Sequence, residues 1–442
     1  MATTAIVLFN RDLRVHDHQA LAAAAGEFDQ VVPLFVFDRA ILGSSFAAPN
    51  RVGFLMESLH DLDASLRRRG ARLVTRAGDV VEETARVAEQ VGALDVFASA
   101  DVSAYAQRRQ RRLRACGLSL RLHDGVTAVP PGALAPAGRD HYRVFSPYWR
   151  AWSTFDVGPL AAVPRALRLP PLPATRLPRT EELVSGVRSP DTAPGGETEA
   201  RRLFTGWLRS GLVGYDSGAP AAEKTSRLSP YLHFGCLSPR EIVVRASDRP
   251  GYEPWLRQLC WRDFFTQLLN ANPRLAHEDL HPRGRRWRAD DDALDAWKAG
   301  RTGLPLVDAG MRQLLREGWM HNRARLVTAS FLVNDLGLDW RTGAQHFYEL
   351  LLDGDVANNS GNWQWVAGTG VDTRPGRRFN PTLQAKKRDP DGAYIRRYVH
   401  ELAGLDPPLV HEPWRLGAEE LARRGYPLPL VEPPGARQLV LA

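Results

Sequence analysis

The chain has 442 residues, 44% of them apolar and 24% charged; that length suits more than one hydrophobic core, and that balance excludes wholesale disorder. Lys and Arg outnumber Asp and Glu by 58 to 50, an excess that suits a polyanionic partner but that arginine solvating a surface would produce equally. The scattered Cys116, Cys236 and Cys260 exclude a disulfide framework and a cysteine-held metal or iron–sulfur site; with charge close behind the first apolar run and no apolar stretch of roughly eighteen residues, a cytoplasmic protein is expected, neither secreted nor membrane-spanning.

In chain order, the apolar runs AIVLF (5–9), VVPLFVF (31–37), RLVTR (72–76) and LDVFA (94–98) read as strands, alternating with helical patterns such as RVGFLMESLHDLDASLRRRG (51–70). That alternation predicts a Rossmann-like parallel sheet in an α/β domain over residues 1–130. The first strand leads into NRDLRVHDHQAL without G-x-G-x-x-G, so no dinucleotide pyrophosphate is expected at that turn. RRQRRLR (108–114) reads as a solvated helix face, with nucleic-acid binding as the alternative. Residues 131–198 are expected to form an interdomain linker, because the eight prolines between 159 and 196 resist helix and sheet. From 199 to 442 the periodicity is helical, as in EPWLRQLCWRDFFTQLLN (253–270) and LVDAGMRQLLREGWMHNRARLVTASFLVNDLG (306–337), which predicts an all-α second domain.

Several clusters suit ligand chemistry. In EKTSRLSPYLHFG, Thr225, Ser226 and Ser229 flank Arg227 ahead of a helical run, where hydroxyls, backbone N–H groups and a guanidinium can bind phosphate; an ordinary helix cap would use the same residue types. The P-loop pattern G-x-x-x-x-G-K-[ST] is absent. Trp261 and Arg262 could stack an unpaired base and hold its phosphate, or the indole could simply be buried. DGDVANNSGNWQWVAGTG (353–370) gathers carboxylates, amides and two indoles, a mixture suited to a ligand both aromatic and polar. The pairs His16/His18 and His277/His281 lack a third ligand at convincing spacing, so no metal is expected, and no G-x-S-x-G supports a serine hydrolase.

Taken together, TSRLSPYLHFGCLSPRE, WRDFF, GLPLVDAGMRQLLREGWMHNRAR, DGDVANN, WQW and FNPTLQ resemble, in order and spacing, the motifs of the photolyase/cryptochrome family over nearly the whole chain. The resemblance implies an N-terminal antenna domain, a helical domain binding FAD, and a monomer whose partner is UV-damaged DNA carrying a pyrimidine dimer. It is greatest to the class I type acting on cyclobutane dimers, which implies light-dependent repair by electron transfer from excited reduced FAD. A cryptochrome-type blue-light receptor and a (6-4) photolyase are the alternatives.

By matching position, the resemblance assigns Tyr215, Thr225, Ser226, Arg227, Leu228 and Ser229 to the phosphate and ribityl region of FAD, and Trp255 and Arg262 to its cavity. Arg325 and Asp353 would pair beside the isoalloxazine, with Gly354 and then Asp355 at its polar edge. Asn359 would face flavin N5, where an amide goes with repair rather than signalling. Trp363, Trp340 and Trp287, proximal to distal, would carry electrons to FAD. Trp261 would stack on the flipped dimer, Trp365 would touch it, Asn322, Arg323 and Leu326 would meet it or its flanks, and Gln384 would meet the strand.

The chain departs from the family pattern at four places. Gln258 stands where cyclobutane-dimer enzymes usually carry Glu, keeping donor and acceptor but losing charge. Asn322 and Leu326 replace the two histidines of the (6-4) enzymes, whose oxygen transfer needs acid–base chemistry. DTRPGRRFNP differs from the commoner aromatic loop. DVSAYAQRR lacks the Asn–Glu pair of folate-binding relatives, while Asp101 and Arg51 resemble positions that serve 8-hydroxy-5-deazaflavin as antenna.

Overall fold

The computed structural model describes residues 2–215, 218, 225–371 and 378–432. Five parallel strands, β1 (Thr4–Leu8), β2 (Gln30–Asp38), β3 (Val74–Gly78), β4 (Asp95–Ser99) and β5 (Ser119–His123), lie in the order β3-β2-β1-β4-β5. Ala5 stands opposite Val31 on one side and Asp95 on the other. Alternation sorts the side chains: Ala5, Val7, Phe35, Phe37 and Phe97 face one core, and Ile6, Leu8, Val32, Leu34 and Val96 face the other. Both faces are covered at the three inner strands β2, β1 and β4, which is why those read as apolar runs. The edge strand β5 alternates polar residues and is only partly covered, so it falls outside the runs singled out from sequence.

The strand order turns at β1, so the segment leaving β1 emerges at the switch point of the sheet. The basic run 108–114 lies in the helix Ala104–Ala115, but only part of it is a solvated face. Arg109 is buried and donates to Asn10 Oδ1 at 2.6 Å, and Arg112 pairs with Asp79 at 2.8 Å. The proline-rich stretch 159–196 carries one short helix, Thr180–Leu183. It is docked on the α/β domain: Val31 N donates to Arg168 O (2.8 Å), Leu167 N to Arg69 O (2.6 Å), and Thr75 Oγ1 to Thr175 Oγ1 (2.9 Å).

In the helical half, Tyr252–Ala271 is one continuous helix. The segment 306–337 is not. Pro305–Glu317 ends at Gly318, which adopts φ +59°, a left-handed turn that glycine takes without a Cβ penalty. Asn322–Ser330 then restarts with His321 capping Arg323 N at 3.1 Å. This break brings Asn322, Arg323, Arg325 and Leu326 onto the first turns of a new helix. Trp297, Trp340 and Trp363 lie in the apolar core of this half with Met311, Phe331 and Phe347.

Candidate functional site

A cavity of about 400 Å³ opens among the loop 225–229 and the helices Tyr252–Ala271, Asn322–Ser330 and Val356–Ala367. Tyr215, Thr225, Ser226, Arg227, Leu228 and Ser229 are among the residues that line it. Arg227 holds φ +52°, a conformation that L side chains seldom adopt unless their surroundings impose it. What imposes it is visible: its guanidinium pairs with buried Glu317 at 2.8 Å and sits 4.5 Å over the Trp319 ring, whose Nε1 donates to Ser229 Oγ at 3.1 Å. The helix Ser229–His233 starts at Leu228 with no side-chain cap, so these hydroxyls are not consumed as caps. Trp255 Nε1 reaches Ser226 Oγ at 3.4 Å.

The polar wall follows. Arg325 Nη2 donates to Asp353 Oδ2 at 2.8 Å, and its Nε donates to Met320 O at 2.8 Å. Asp355 caps the helix Val356–Ala367 through Oδ1, accepting from Asn358 N at 2.8 Å, and its Oδ2 accepts from Arg11 Nη2 at 2.6 Å. Burial opposes ionisation of Asp355, but Arg11, with Arg262 nearby, outweighs it and holds the carboxyl well below the usual carboxylate range. His233 is driven well down, first by burial and then by Arg11, so its ring is neutral at neutral pH. Arg262 lines the cavity while its Nη1 and Nη2 donate to Val126 O (2.6 Å) and Leu232 O (3.2 Å).

Trp261, Trp365, Gln258, Asn322, Arg323 and Leu326 also line the cavity. Trp261 is backed by Phe145, with ring centroids 3.6 Å apart and planes 3° from parallel. One indole face is therefore covered, and the side chain is only partly buried. Gln258 lies three positions earlier on the same helix, one turn away.

The remaining assigned residues lie outside the main cavity. Asn359 and Trp363 line an adjoining space of about 70 Å³ that shares Arg325, Asp353 and Asn358 with it; Asn359 Nδ2 donates to Ala344 O at 3.0 Å. Trp363 packs so closely on the helix Trp340–Leu350 that a Cβ on Gly343 would come within 2.2 Å of it. Trp340 begins that helix, its Nε1 bonded to Asp279 at 2.9 Å. Trp287 is partly buried beside Arg285 and next to Arg288, whose N donates to Gly337 O. Gln384 sits on the helix Pro381–Arg388, near Phe379, which packs on Trp365. Gly354 abuts Arg51, whose guanidinium is engaged by the carbonyls of Phe46, Tyr348 and Leu351. Asp101 lies 3.6 Å from Arg11. Arg51 and Asp101 both stand at the domain junction, but on different partners.

Sequence reading missed Arg11, Phe145, His233, Glu317 and Trp319. Trp319 had a local signal, lying just ahead of the HNRAR segment; the others act on partners far away in the chain. Among the described residues no group of three His, Cys, Asp or Glu could hold a metal ion, and no described helix is long and apolar enough to cross a membrane.

The wall carries two buried atoms without a protein partner, Asp353 Oδ1 and His233 Nδ1. Buried polar atoms of this kind need a ligand or water. Beside the hydroxyl-bearing loop with Arg227 and the indoles of Trp255, Trp261, Trp319 and Trp365, they fit a ligand that is both phosphorylated and aromatic, as FAD is. The fold and cavity thus define a protein suited to a phosphorylated aromatic ligand such as a flavin nucleotide, with several indoles in the same lining.

Comparison with known proteins narrows the class. Residues 5–171 match the family model described as DNA photolyase, and residues 255–442 match the FAD binding domain of DNA photolyase. The deoxyribodipyrimidine photo-lyase of Streptomyces griseus is 48% identical over 445 residues, covering 98% of both chains. Among solved structures, a class III photolyase from Agrobacterium tumefaciens has a TM-score of 0.89 at 32% identity, covering 100% of this chain and 97% of that one. A Synechocystis cryptochrome has a TM-score of 0.88 at 30% identity, covering 97% and 96%. The chain belongs to the DNA photolyase family, and its cofactor is FAD.

Proposed function

We propose that the protein is a light-dependent deoxyribodipyrimidine photo-lyase that splits cyclobutane pyrimidine dimers in UV-damaged DNA. The observation that carries the reading is the lining of a single cavity. The ion-paired wall of Arg325, Asp353 and Asp355 shares it with Trp261, an indole covered on one face by Phe145. Held by the residues of that lining, FAD in its reduced form would supply, under light, the electron that splitting of the dimer requires.

The protein's part is to bind, orient and exclude water. Tyr215 and the loop 225–229 would hold the phosphate and ribityl portion, while Asp353 and Asp355 would accept hydrogen bonds from the polar edge of the ring. Trp261 stacks on the dimer after it flips from the duplex, at a cost of a few kcal/mol that is least where the base pair is already distorted. Gln258 donates to the dimer carbonyls, Trp365 meets its far side, Asn322, Arg323 and Leu326 contact it or its flanks, and Gln384 meets the strand. Asn359 would stand at flavin N5, and Trp363, Trp340 and Trp287 would form the route by which electrons reach the cofactor. The protein acts as a monomer in the cytoplasm.

The oxygen transfer of (6-4) repair needs acid–base histidines at the lesion. The cavity wall carries Asn322 and Leu326 at those positions, and His321 Nδ1 is spent capping a helix. The test is light-dependent restoration of a cyclobutane dimer by the reduced holoprotein. Stoichiometric reduced FAD with no restoration would sink the reading.

A further inference from the structure

The segment NRDLR after β1, which binds no dinucleotide by pattern, leaves the α/β domain and lodges against the helical one. Leu13 N donates to Phe234 O at 3.2 Å, and Arg14 Nη1 donates to Gly235 O at 2.9 Å. Gly235 adopts φ +68°, and a Cβ there would come within 1.9 Å of Arg11 O; only glycine permits so close an approach. Arg11 is thereby aimed at the back of the cavity wall. Its Nε donates to His233 O at 3.2 Å, its Nη2 to Asp355 Oδ2 at 2.6 Å, and its Nη1 lies 3.6 Å from Asp101 Oδ2.

Asp355 lines the cavity, and Arg11 stands behind it. Of the other charged groups near Asp355, Arg262 is engaged by Val126 O, Leu232 O and Asp263, and His233 is neutral. The acid on the wall thus has its charge balanced by a cation from the other domain, and that cation faces an acid of its own domain at Asp101. A reduced flavin is anionic at neutral pH, so a bare Asp355 carboxylate at its edge would oppose reduction.

We propose that Arg11 is a positioning residue for the flavin: reaching across the domain junction, it fixes Asp355 and cancels its charge, so that the bound cofactor is more easily reduced. Asp101, on the far side of Arg11, works in the opposite sense by weakening that cation. The α/β domain therefore sets the redox poise of the cofactor held by the helical domain. This inference rests on the placement of Asp355 at the FAD ring, and it does not depend on which lesion, if any, the protein repairs.

The test is the reduced fraction of bound FAD at a fixed solution potential, read from flavin absorbance in the DNA-free holoprotein, with FAD content measured alongside. Arg11→Gln is expected to lower the reduced-to-oxidised ratio about tenfold. That is the order of effect of losing one unit charge near the cofactor at an effective dielectric of about 20, and tenfold corresponds to about 30 mV for a two-electron couple. Arg11→Lys, which keeps the charge, is expected to stay near the wild-type ratio, and Asp101→Asn to raise it. Arg11→Gln and Asp101→Asn proteins with stoichiometric FAD and the wild-type ratio would overturn the proposal, leaving Arg11 as a domain staple only. If Arg11→Gln fails to retain FAD, Asp101→Asn decides alone: a raised ratio supports the proposal, and an unchanged ratio overturns it. Failure of the wild type to repair DNA would refute the proposed function without touching this result.

Discussion

Removing Asp353 is the sharpest perturbation of the cofactor wall. Its Oδ2 pairs with Arg325 Nη2 at 2.8 Å, with side-chain exposures of 6% and 23%, and its buried Oδ1 has no protein partner. Asp353→Ala deletes one charge-assisted hydrogen bond to the ligand, which contributes about 1.5–3 kcal/mol. That converts to between about tenfold and a hundredfold weaker FAD binding. The bared Arg325 adds a further cost, below the roughly 3–5 kcal/mol of a fully buried broken pair, because it keeps its bond to Met320 O and some contact with water. Calorimetric titration of FAD into apoprotein, with the flavin-to-protein absorbance ratio of the purified material, measures the effect. Asp353→Ala should purify nearly colourless, and Asp353→Asn should fall between it and the wild type. Wild-type affinity in the alanine variant would refute the placement of Asp353 on the flavin.

Other variants probe separate parts of the site. Trp363→Phe is expected to abolish photoreduction of oxidised FAD while leaving repair by chemically pre-reduced protein intact; photoreduction at the wild-type rate would remove the indole route. Phe145→Ala takes away the ring 3.6 Å behind Trp261, and since an aromatic pair contributes about 0.5–1.5 kcal/mol, affinity for dimer-containing DNA should drop severalfold with an unchanged flavin spectrum; equal dissociation constants in a binding titration would contradict it. Asp12 is buried 3.2 Å from His18, and although burial opposes its ionisation, that histidine and the Asn10 backbone N–H lower its pKa from 3.8 to about 2. Its stabilisation is therefore present above pH 4 and is lost as pH falls through about 2, amounting to about 2 kcal/mol. In denaturant titrations the deficit of Asp12→Asn should shrink as pH falls from 5 toward 2, and a pH-independent deficit would argue against the ion pair.

The strands β1, β2 and β4 were legible because both faces of the sheet are covered there, so they are apolar almost throughout, whereas the edge strand β3 carries Arg76 and Ala77 at the surface and lies two residues beyond the run RLVTR. The edge strand β5 was not legible, because its alternating SLRLH is half-exposed. The helical half was legible as periodicity, but the break at Gly318 was hidden, since the apolar pattern continues across it. Most cavity residues could be named in advance because they sit in dense local motifs, 225–229, 258–262 and 322–326. What stayed hidden depends on pairing across the fold: Arg11 meets Asp355 across 344 positions, and Phe145 reaches Trp261 from a region read only as linker. Nothing local marks either partner, since an arginine after a strand or a phenylalanine before a helix is unremarkable until the chain is folded.

The central claim is tested most directly by anaerobic illumination of the dithionite-reduced holoprotein with matched oligonucleotides carrying a cyclobutane dimer or a (6-4) product, beside a dark control. Light-dependent restoration of the first substrate alone is the predicted result, and it would show that Gln258 suffices where relatives use Glu. Restoration of neither, by protein confirmed to hold reduced FAD, would contradict the account.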